Sequence, residues 1–175
     1  SVIYKIGLSA VIVHGGGKNI KKKLDEKNIK TNFIDGLRVT DENTIKIVEE
    51  ALLELNLEIL TNLKNHHIKG CSINPRKNNI INVKPDRKEL GYVGNPISVD
   101  KTEIMNSIEN KKIPIIVPMG LGNDKKLYNI NADIAAGSIA KKLKSRRLLL
   151  MTDVDGVLDQ DKKLISEINS SVANS

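Results

Sequence analysis

The stretch Ala10 to Gly17, AVIVHGGG, decides how the chain is read. Val11, Ile12 and Val13 form a short unbroken apolar run, the pattern of a strand covered on both faces within a parallel sheet. Three consecutive glycines, Gly15, Gly16 and Gly17, end it. Without Cβ atoms the backbone N–H groups can approach a ligand closely, and a helix expected from Asn19 to about Lys27 points its positive end at the same place. A tight strand-to-helix turn with no ligand is the plainer alternative. Each glycine costs about 1 kcal/mol of conformational entropy where nothing requires it, so three in succession weigh toward an anion site.

Moving outward, Ile20 and Leu24 among lysines fit a short helix with its basic face in water. The stretch Gly36-Leu37-Arg38-Val39-Thr40 is then expected beside the glycine loop. Thr40 reads as a helix N-cap, Asp41 and Glu42 suit a first turn, and Ile45, Val48, Leu52, Leu55, Ile59 and Leu63 recur at helical spacing. This longest helix, Asp41 to His66, carries further apolar positions at Leu53, Leu57 and Leu60, which suit packing on the sheet and also contact with a second copy of the chain. A strand is expected from near Ile68 through Cys71 to Ile73, and hairpins outside the main sheet between Asn74 and Asn95. Asp100 reads as the cap of a helix carrying Ile104, Met105 and Ile108.

Ile113 to Val117 is another apolar run, ending at Pro118-Met119-Gly120. Gly120 to Lys126 reads as a loop, Leu127 to Asn129 as a short extended piece, and Asn131 as the start of a helix whose small residues (Ala132, Ala135, Ala136, Ala140) allow close packing. Leu148 to Met151 reads as a fourth buried strand, closed by Thr152-Asp153-Val154-Asp155-Gly156, while Ser1 to Ser9 suits the end of an amphipathic helix. Alternating strands and helices imply an α/β fold, a three-layer α/β/α sandwich with a mainly parallel sheet, and the length of 175 residues fits one domain. Ligands of such sheets bind beyond the carboxyl ends of the strands, where the glycines and Asn129 to Asp133 lie.

Composition narrows the partners. The 28 Lys and Arg against 21 Asp and Glu give a net charge of +7, which favours anionic partners without choosing among them. The basic residues fall in short scattered runs, and with one Phe, three Tyr and no Trp the chain offers few rings on which bases would stack, so a nucleic-acid partner is not expected. One cysteine, Cys71, excludes an internal disulfide and argues against a metal–thiolate cluster. No apolar run approaches the ~20 residues needed to span a bilayer, so the expectation is a cytoplasmic protein with no membrane contact. His66 and His67, adjacent near a helix end, read as structural rather than metal-ligating.

Among polar residues, Arg38 follows a glycine turn and precedes the long helix, a place from which its planar guanidinium can clamp a carboxylate; an ordinary surface arginine is the alternative. Asn129, Asn131 and Asp133 alternate at a helix entrance. Capping accounts for one of the three and leaves the others for a site. Asp153 and Asp155 at a strand end fit a nucleotide contact or, more simply, an Asx turn.

Taken together, HGGG, GLRVTD at Gly36 to Asp41, LGYVG at Leu90 to Gly94, YNINADIAA at Tyr128 to Ala136 and LLLMTDVDGVLD at Leu148 to Asp159 resemble the acetylglutamate kinases of the amino acid kinase family. The order and spacing match over nearly the whole chain, and GLRVTD with NINAD is far more specific than a glycine loop. Kinases of aminoadipate derivatives stay close.

The resemblance implies ATP-dependent phosphorylation, with Mg2+ carried on the nucleotide, of the side-chain carboxylate of N-acetyl-L-glutamate on the route to arginine. It further implies that Gly16 and Gly17 meet the substrate and the transferring phosphoryl group, that Arg38 holds the α-carboxylate, and that Asn129 contacts the substrate. Asp133 would organise the catalytic cations, with Gly16 and Asp133 as the catalytic positions. Gly15 and the segment holding Thr152, Asp153 and Gly156 would border phosphates or nucleotide, no resident metal site is implied, and copies would assemble through the long helix. The family pattern also includes a lysine-bearing strand ahead of the position of Ser1 and a nucleotide domain beyond that of Ser175, so the chain is expected to be the N-terminal substrate-binding half. Lys18 stands where the family has proline, and a family glycine is missing around Leu53 to Asn56. A non-catalytic binding or assembly module derived from such a kinase is the alternative.

Overall fold

The computed structural model describes residues 8–151, 156 and 163–165. The apolar run at the start becomes β1 (Ile12–Val13), which feeds through the glycines into α1 (Gly17–Glu26). That helix begins two residues earlier than expected because the ladder starts at the glycines themselves: Ile20 N–H donates to the Gly16 carbonyl at 2.8 Å. A two-stranded hairpin follows, β2 (Phe33–Ile34) and β3 (Leu37–Arg38), turned by Asp35 at φ 49° and Gly36 at φ 76°. Two successive left-handed residues are what a two-residue hairpin turn demands, and Asp-Gly supplies them.

The long helix α2 (Glu42–Asn65) has the expected extent, yet its cap is Asp41 rather than Thr40. Asp41 Oδ1 accepts the Thr44 N–H at 2.7 Å. Thr40, fully buried, is committed elsewhere: its hydroxyl donates to the Arg38 carbonyl at 2.8 Å and its backbone exchanges bonds with Leu90 and Tyr92. The far end closes through His67 at φ 56°, with Ile68 N–H on the Leu63 carbonyl and His67 N–H on that of Lys64. This is a Schellman ending built without glycine, and it gives the two histidines their structural place.

Beyond it lie β4 (Gly70–Ile73), β5 (Ile81–Pro85), β6 (Gly94–Val99), α3 (Thr102–Glu109), β7 (Ile113–Ile116), β8 (Met119–Gly122), β9 (Leu127–Asn129) and α4 (Ala132–Leu143). The strands form a parallel sheet in the order β1-β7-β4 and a second, mixed sheet in the order β6-β5-β8-β9. The second sheet holds the β5–β6 hairpin expected outside the main sheet. It also corrects the reading of Gly120 to Lys126 as a loop: residues 119–122 are a strand paired antiparallel with β9, and only the turn around Asp124 is irregular. The N-cap position of α3 falls on Lys101 and not on Asp100 as expected; Lys101 makes no side-chain cap bond, and Asp100, one residue ahead of it, accepts the Thr102 N–H at 2.9 Å.

The parallel sheet is covered on both faces, as its unbroken apolar strands require. On one side α1 and α2 bury Ile20, Leu24, Val48, Ala51 and Leu52 with Val117 and Met119; on the other, Ile104 of α3 and Ala135 and Ile139 of α4 pack with Ile73, Ile116 and Ile130. Among the described residues no helix is long and apolar enough to cross a membrane.

One expected strand does not form. Leu148, Leu149, Leu150 and Met151 are 47, 73, 56 and 97% exposed and have no strand conformation. Among the described residues no strand of either sheet pairs with them, and an apolar run without a ladder partner has neither a reason to stay extended nor a face to bury. The readings of Ser1 to Ser9 as a helix end and of Asp153 and Asp155 as a nucleotide contact or an Asx turn fall wholly or largely outside the described residues.

Candidate functional site

The carboxyl end of β1, the start of α1, the β2–β3 hairpin and the β9–α4 junction converge on one cleft of about 190 Å³. Gly15, Gly16, Gly17, Arg38 and Asn129 all line it, with Phe33, Leu52, Val93, Ile130 and Asn131. Segments more than 100 residues apart in the chain are thus brought together at the sheet edge where ligands of parallel sheets bind.

The three glycines are not equivalent. A Cβ at Gly15 or at Gly17 would meet nothing within 4 Å, whereas one at Gly16 would collide with Leu52 Cδ2 of α2. Gly16 is therefore small so that the loop can lie on the core, and its neighbours leave open space on the cleft side. At the N-terminus of α1 no side chain caps the helix and its first turn holds no acidic residue. Its own cap and first turn thus give the positive end of the helix, which faces the cleft, no negative partner, the arrangement that accepts an anion.

Arg38 is 9% exposed. Its Nη1 donates to Thr31 Oγ1 at 2.8 Å, its Nη2 lies 3.4 Å from the Gly17 carbonyl, and the Phe33 ring covers one face of the guanidinium at 4.6 Å. Among the described residues no carboxylate stands in ion-pair range of it. Burial holds its pKa below the usual arginine value, although a guanidinium stays charged throughout the working range. A desolvated cation with no counter-charge is costly unless an anion arrives to pair with it.

Asn129 ends β9, where its N–H donates to the Tyr92 carbonyl at 2.9 Å. The preceding hairpin is braced by the Tyr128 hydroxyl, which donates to Asp124 Oδ2 at 2.9 Å; burial, seconded by that carboxylate, pushes the phenol up to about 12. Asn131 is the residue of the NINAD run that capping explains, since its Oδ1 accepts from the N–H groups of Asp133 and Ile134. Asp133 is exposed in the first turn of α4 and does not line the cleft. Gly156 is described, at φ 151°, but Thr152 and Asp153 lie outside the described residues.

Three residues escaped the sequence reading. His14, 7% exposed, sits directly before the glycines, and Asn56, 2% exposed, projects from α2 toward it. The available signal was Asn56 itself, an amide standing at core spacing behind Ile45, Val48 and Leu52. Thr31, which holds the guanidinium, gave no such signal.

This convergence of a glycine loop, a helix N-terminus and a buried arginine is matched by what the whole chain resembles. The model of the amino acid kinase family matches residues 2–175. The chain belongs to the amino acid kinase family. Among curated proteins it is 52% identical over 173 residues to an acetylglutamate kinase of Pelagibacter ubique, covering 99% of this chain and 60% of that protein. It is 42% identical over 171 residues to one of Campylobacter fetus, covering 97% of this chain and 61% of that protein. The chain thus spans about three fifths of the length of these relatives. Among solved structures, smu.665 from Streptococcus mutans superposes with a TM-score of 0.84 at 32% identity, over 90% of this chain and 65% of that one. An isopentenyl phosphate kinase structure shares the fold alone, with a TM-score of 0.60 at 21% identity over 89% of this chain and 60% of that one.

Proposed function

We propose that this amino acid kinase chain binds N-acetyl-L-glutamate in the glycine-loop cleft and belongs to an acetylglutamate kinase. That enzyme transfers the γ-phosphoryl group of ATP to the side-chain carboxylate, giving an acyl phosphate for arginine biosynthesis in the cytoplasm. The observation that supports it most is Arg38, a buried guanidinium in the cleft with no carboxylate in ion-pair range among the described residues. It would take the α-carboxylate, with Asn129 on the remainder of the substrate. Gly16 and Gly17 would present their N–H groups to the reacting end. Phosphoryl transfer is mostly positioning and charge neutralisation, so backbone donors and helix ends are sufficient tools for much of it.

The residues present suit a polyphosphate: open space beside Gly15 and Gly17 leads to the uncapped start of α1. Mg2+ would arrive on the nucleotide. Bound there, the nucleotide supplies the phosphoryl group, with ADP leaving as the carboxylate oxygen forms its new bond to phosphorus. Thr152, Asp153 and Gly156 would border it, and Asp133 would orient cationic side chains near the leaving group. Association of copies belongs to the same proposal and would use the outer face of α2, where Leu57 is 64% exposed.

Calorimetric titration of N-acetyl-L-glutamate against the chain and its Arg38→Ala variant tests the reading. Saturable heat that the variant loses is expected; absence of binding to the parent chain overturns it. A parallel titration with an N-acetyl aminoadipate distinguishes the two acceptors. Hydroxylamine trapping of a MgATP-dependent acyl phosphate separates a kinase from a module that only binds.

A further inference from the structure

The His14 imidazole is the middle of a buried relay. Asn56 Nδ2 lies 3.1 Å from the Ile115 carbonyl oxygen of β7 and 3.1 Å from His14 Nε2. The carbonyl can only accept, which fixes the amide with its NH2 group on this side and gives each hydrogen one partner. His14 Nε2 must then be the acceptor, so the ring proton resides on Nδ1, from which it donates to the Gly15 carbonyl at 2.8 Å. Burial holds the imidazole below its ordinary pKa, in keeping with a neutral ring.

The Gly15 carbonyl belongs to the first peptide unit between two glycines of the loop, and in a trans peptide it points opposite to the Gly16 N–H. Tying the carbonyl to His14 turns the Gly16 N–H away from the imidazole. Three glycines in sequence have little local preference to set that peptide plane themselves. The relay runs from the central strand of the parallel sheet through α2 to the loop, so the plane is anchored to a fully buried strand and to the buried face of the long helix.

We infer that His14, braced by Asn56 and the Ile115 carbonyl, is a positioning residue that fixes the Gly15–Gly16 peptide plane of the loop for anion binding. It touches no ligand. The ligand part of this inference rests on the reading of the cleft as an N-acetyl-L-glutamate site; the positioning part does not.

The test uses two substitutions that each keep one half of the ring's hydrogen bonding. In His14→Asn the side-chain NH2 takes the place of Nδ1 and keeps the bond to Gly15, while His14→Gln reaches toward Asn56 and gives that bond up. Nitrogen NMR of the ligand-free parent chain is expected to show the Nδ1–H tautomer. The Gly16 amide resonance should move in His14→Gln and stay near its parent position in His14→Asn, although both lose packing. The dissociation constant for N-acetyl-L-glutamate should rise about tenfold or more in the first and remain within about threefold in the second.

An Nε2–H tautomer in the parent chain, or Gly16 shifts and affinities equal in the two variants, overturns the assignment. If the parent chain binds no N-acetyl-L-glutamate, the functional reading falls while the tautomer and the Gly16 resonance still decide the positioning. Should either variant fail to fold, Asn56→Leu offers a second route, with a mixed tautomer and a shifted Gly16 resonance expected.

Discussion

The guanidinium carbon of Arg38 lies 4.6 Å from the centroid of the Phe33 ring, and the two residues are directly paired across the β2–β3 hairpin. The pairing explains why Phe33 is 57% exposed in a chain with one phenylalanine. Its ring is spent on flanking a cation rather than on filling the core, which orients the guanidinium and shields one face from water.

Arg38 therefore stands where function and stability pull apart. Replacing it with Met removes a desolvated charge that has no acidic partner among the described residues, so the thermal midpoint should not fall, while N-acetyl-L-glutamate affinity should drop by about 10- to 100-fold, the worth of one charge-assisted clamp. Phe33→Ala should cost affinity only a few-fold, about 0.5–1 kcal/mol, because the cation remains. Calorimetry paired with thermal melts on both variants checks this; an Arg38→Met midpoint several degrees below the parent would show that the residue serves the fold.

The glycine loop makes a second split prediction. Gly16→Ala drives a methyl into Leu52 Cδ2, and Leu52, 1% exposed and packed in the core, must shift to admit it. Overpacking of that kind costs about 1–3 kcal/mol. Gly15→Ala meets open space and should leave stability within about 0.5 kcal/mol while narrowing the cleft. Urea denaturation of the two variants gives the contrast, and adding Leu52→Ala to Gly16→Ala should recover part of the loss, a coupling that a cycle of the four proteins measures.

Which of these features were legible in the sequence follows from how local their causes are. The strand-glycine-helix unit, the long helix and the extended piece before Asn131 each rest on patterns within a few residues, and they form within two residues of where they are expected. Thr40 was misjudged as the cap because its hydroxyl is used by the Arg38 carbonyl and its backbone by Leu90 and Tyr92, partners 50 residues away that no local rule reveals. Leu148 to Met151 has the composition of a buried strand, yet burial depends on a pairing partner, and composition cannot supply one. The gathering of Gly15, Gly16, Gly17, Arg38 and Asn129 at one cleft was anticipated from the topology of parallel sheets. The His14–Asn56 relay was not, because an amide in an apolar stripe reveals itself only once the group opposite it is known.

The exposed apolar run itself is testable. Leu149 and Met151, at 73 and 97% exposure, contribute little to the packed core. Converting both to Lys should leave the thermal midpoint unchanged within about a degree or two, as expected for surface changes of about ±0.5 kcal/mol. The same change should reduce concentration-dependent association, since contiguous exposed apolar residues invite it. Melting curves and sedimentation velocity over a range of concentrations read the two effects separately; a large fall in the midpoint would mean that the run is packed in solution.

Acid should destabilise the chain in two separable steps. Burial, only partly offset by the bond to the Gly15 carbonyl, holds His14 below its ordinary value of 6.5. Above that value folded and unfolded chains are both neutral there and the contribution is fully present. As the pH falls below it the unfolded chain takes up the proton first, and stability declines until the folded-state value is reached. The partners of the ring are the Asn56 amide and the Gly15 carbonyl, and neither titrates.

Asp41 is lowered from its ordinary 3.8, chiefly by the Thr44 backbone N–H and then by the Thr44 side chain. Its capping contribution, about 1 kcal/mol, is complete above that value and is lost as the pH falls through the folded-state value. Urea midpoints measured from pH 7 to pH 3 should therefore decline first below about 6.5 and again below about 4. His14→Asn should flatten only the first limb and Asp41→Ala only the second, after lowering the whole curve. A His14→Asn profile parallel to that of the parent chain between pH 7 and pH 5 would mean that another group titrates there, and that the imidazole is not the neutral acceptor its bond to Asn56 requires.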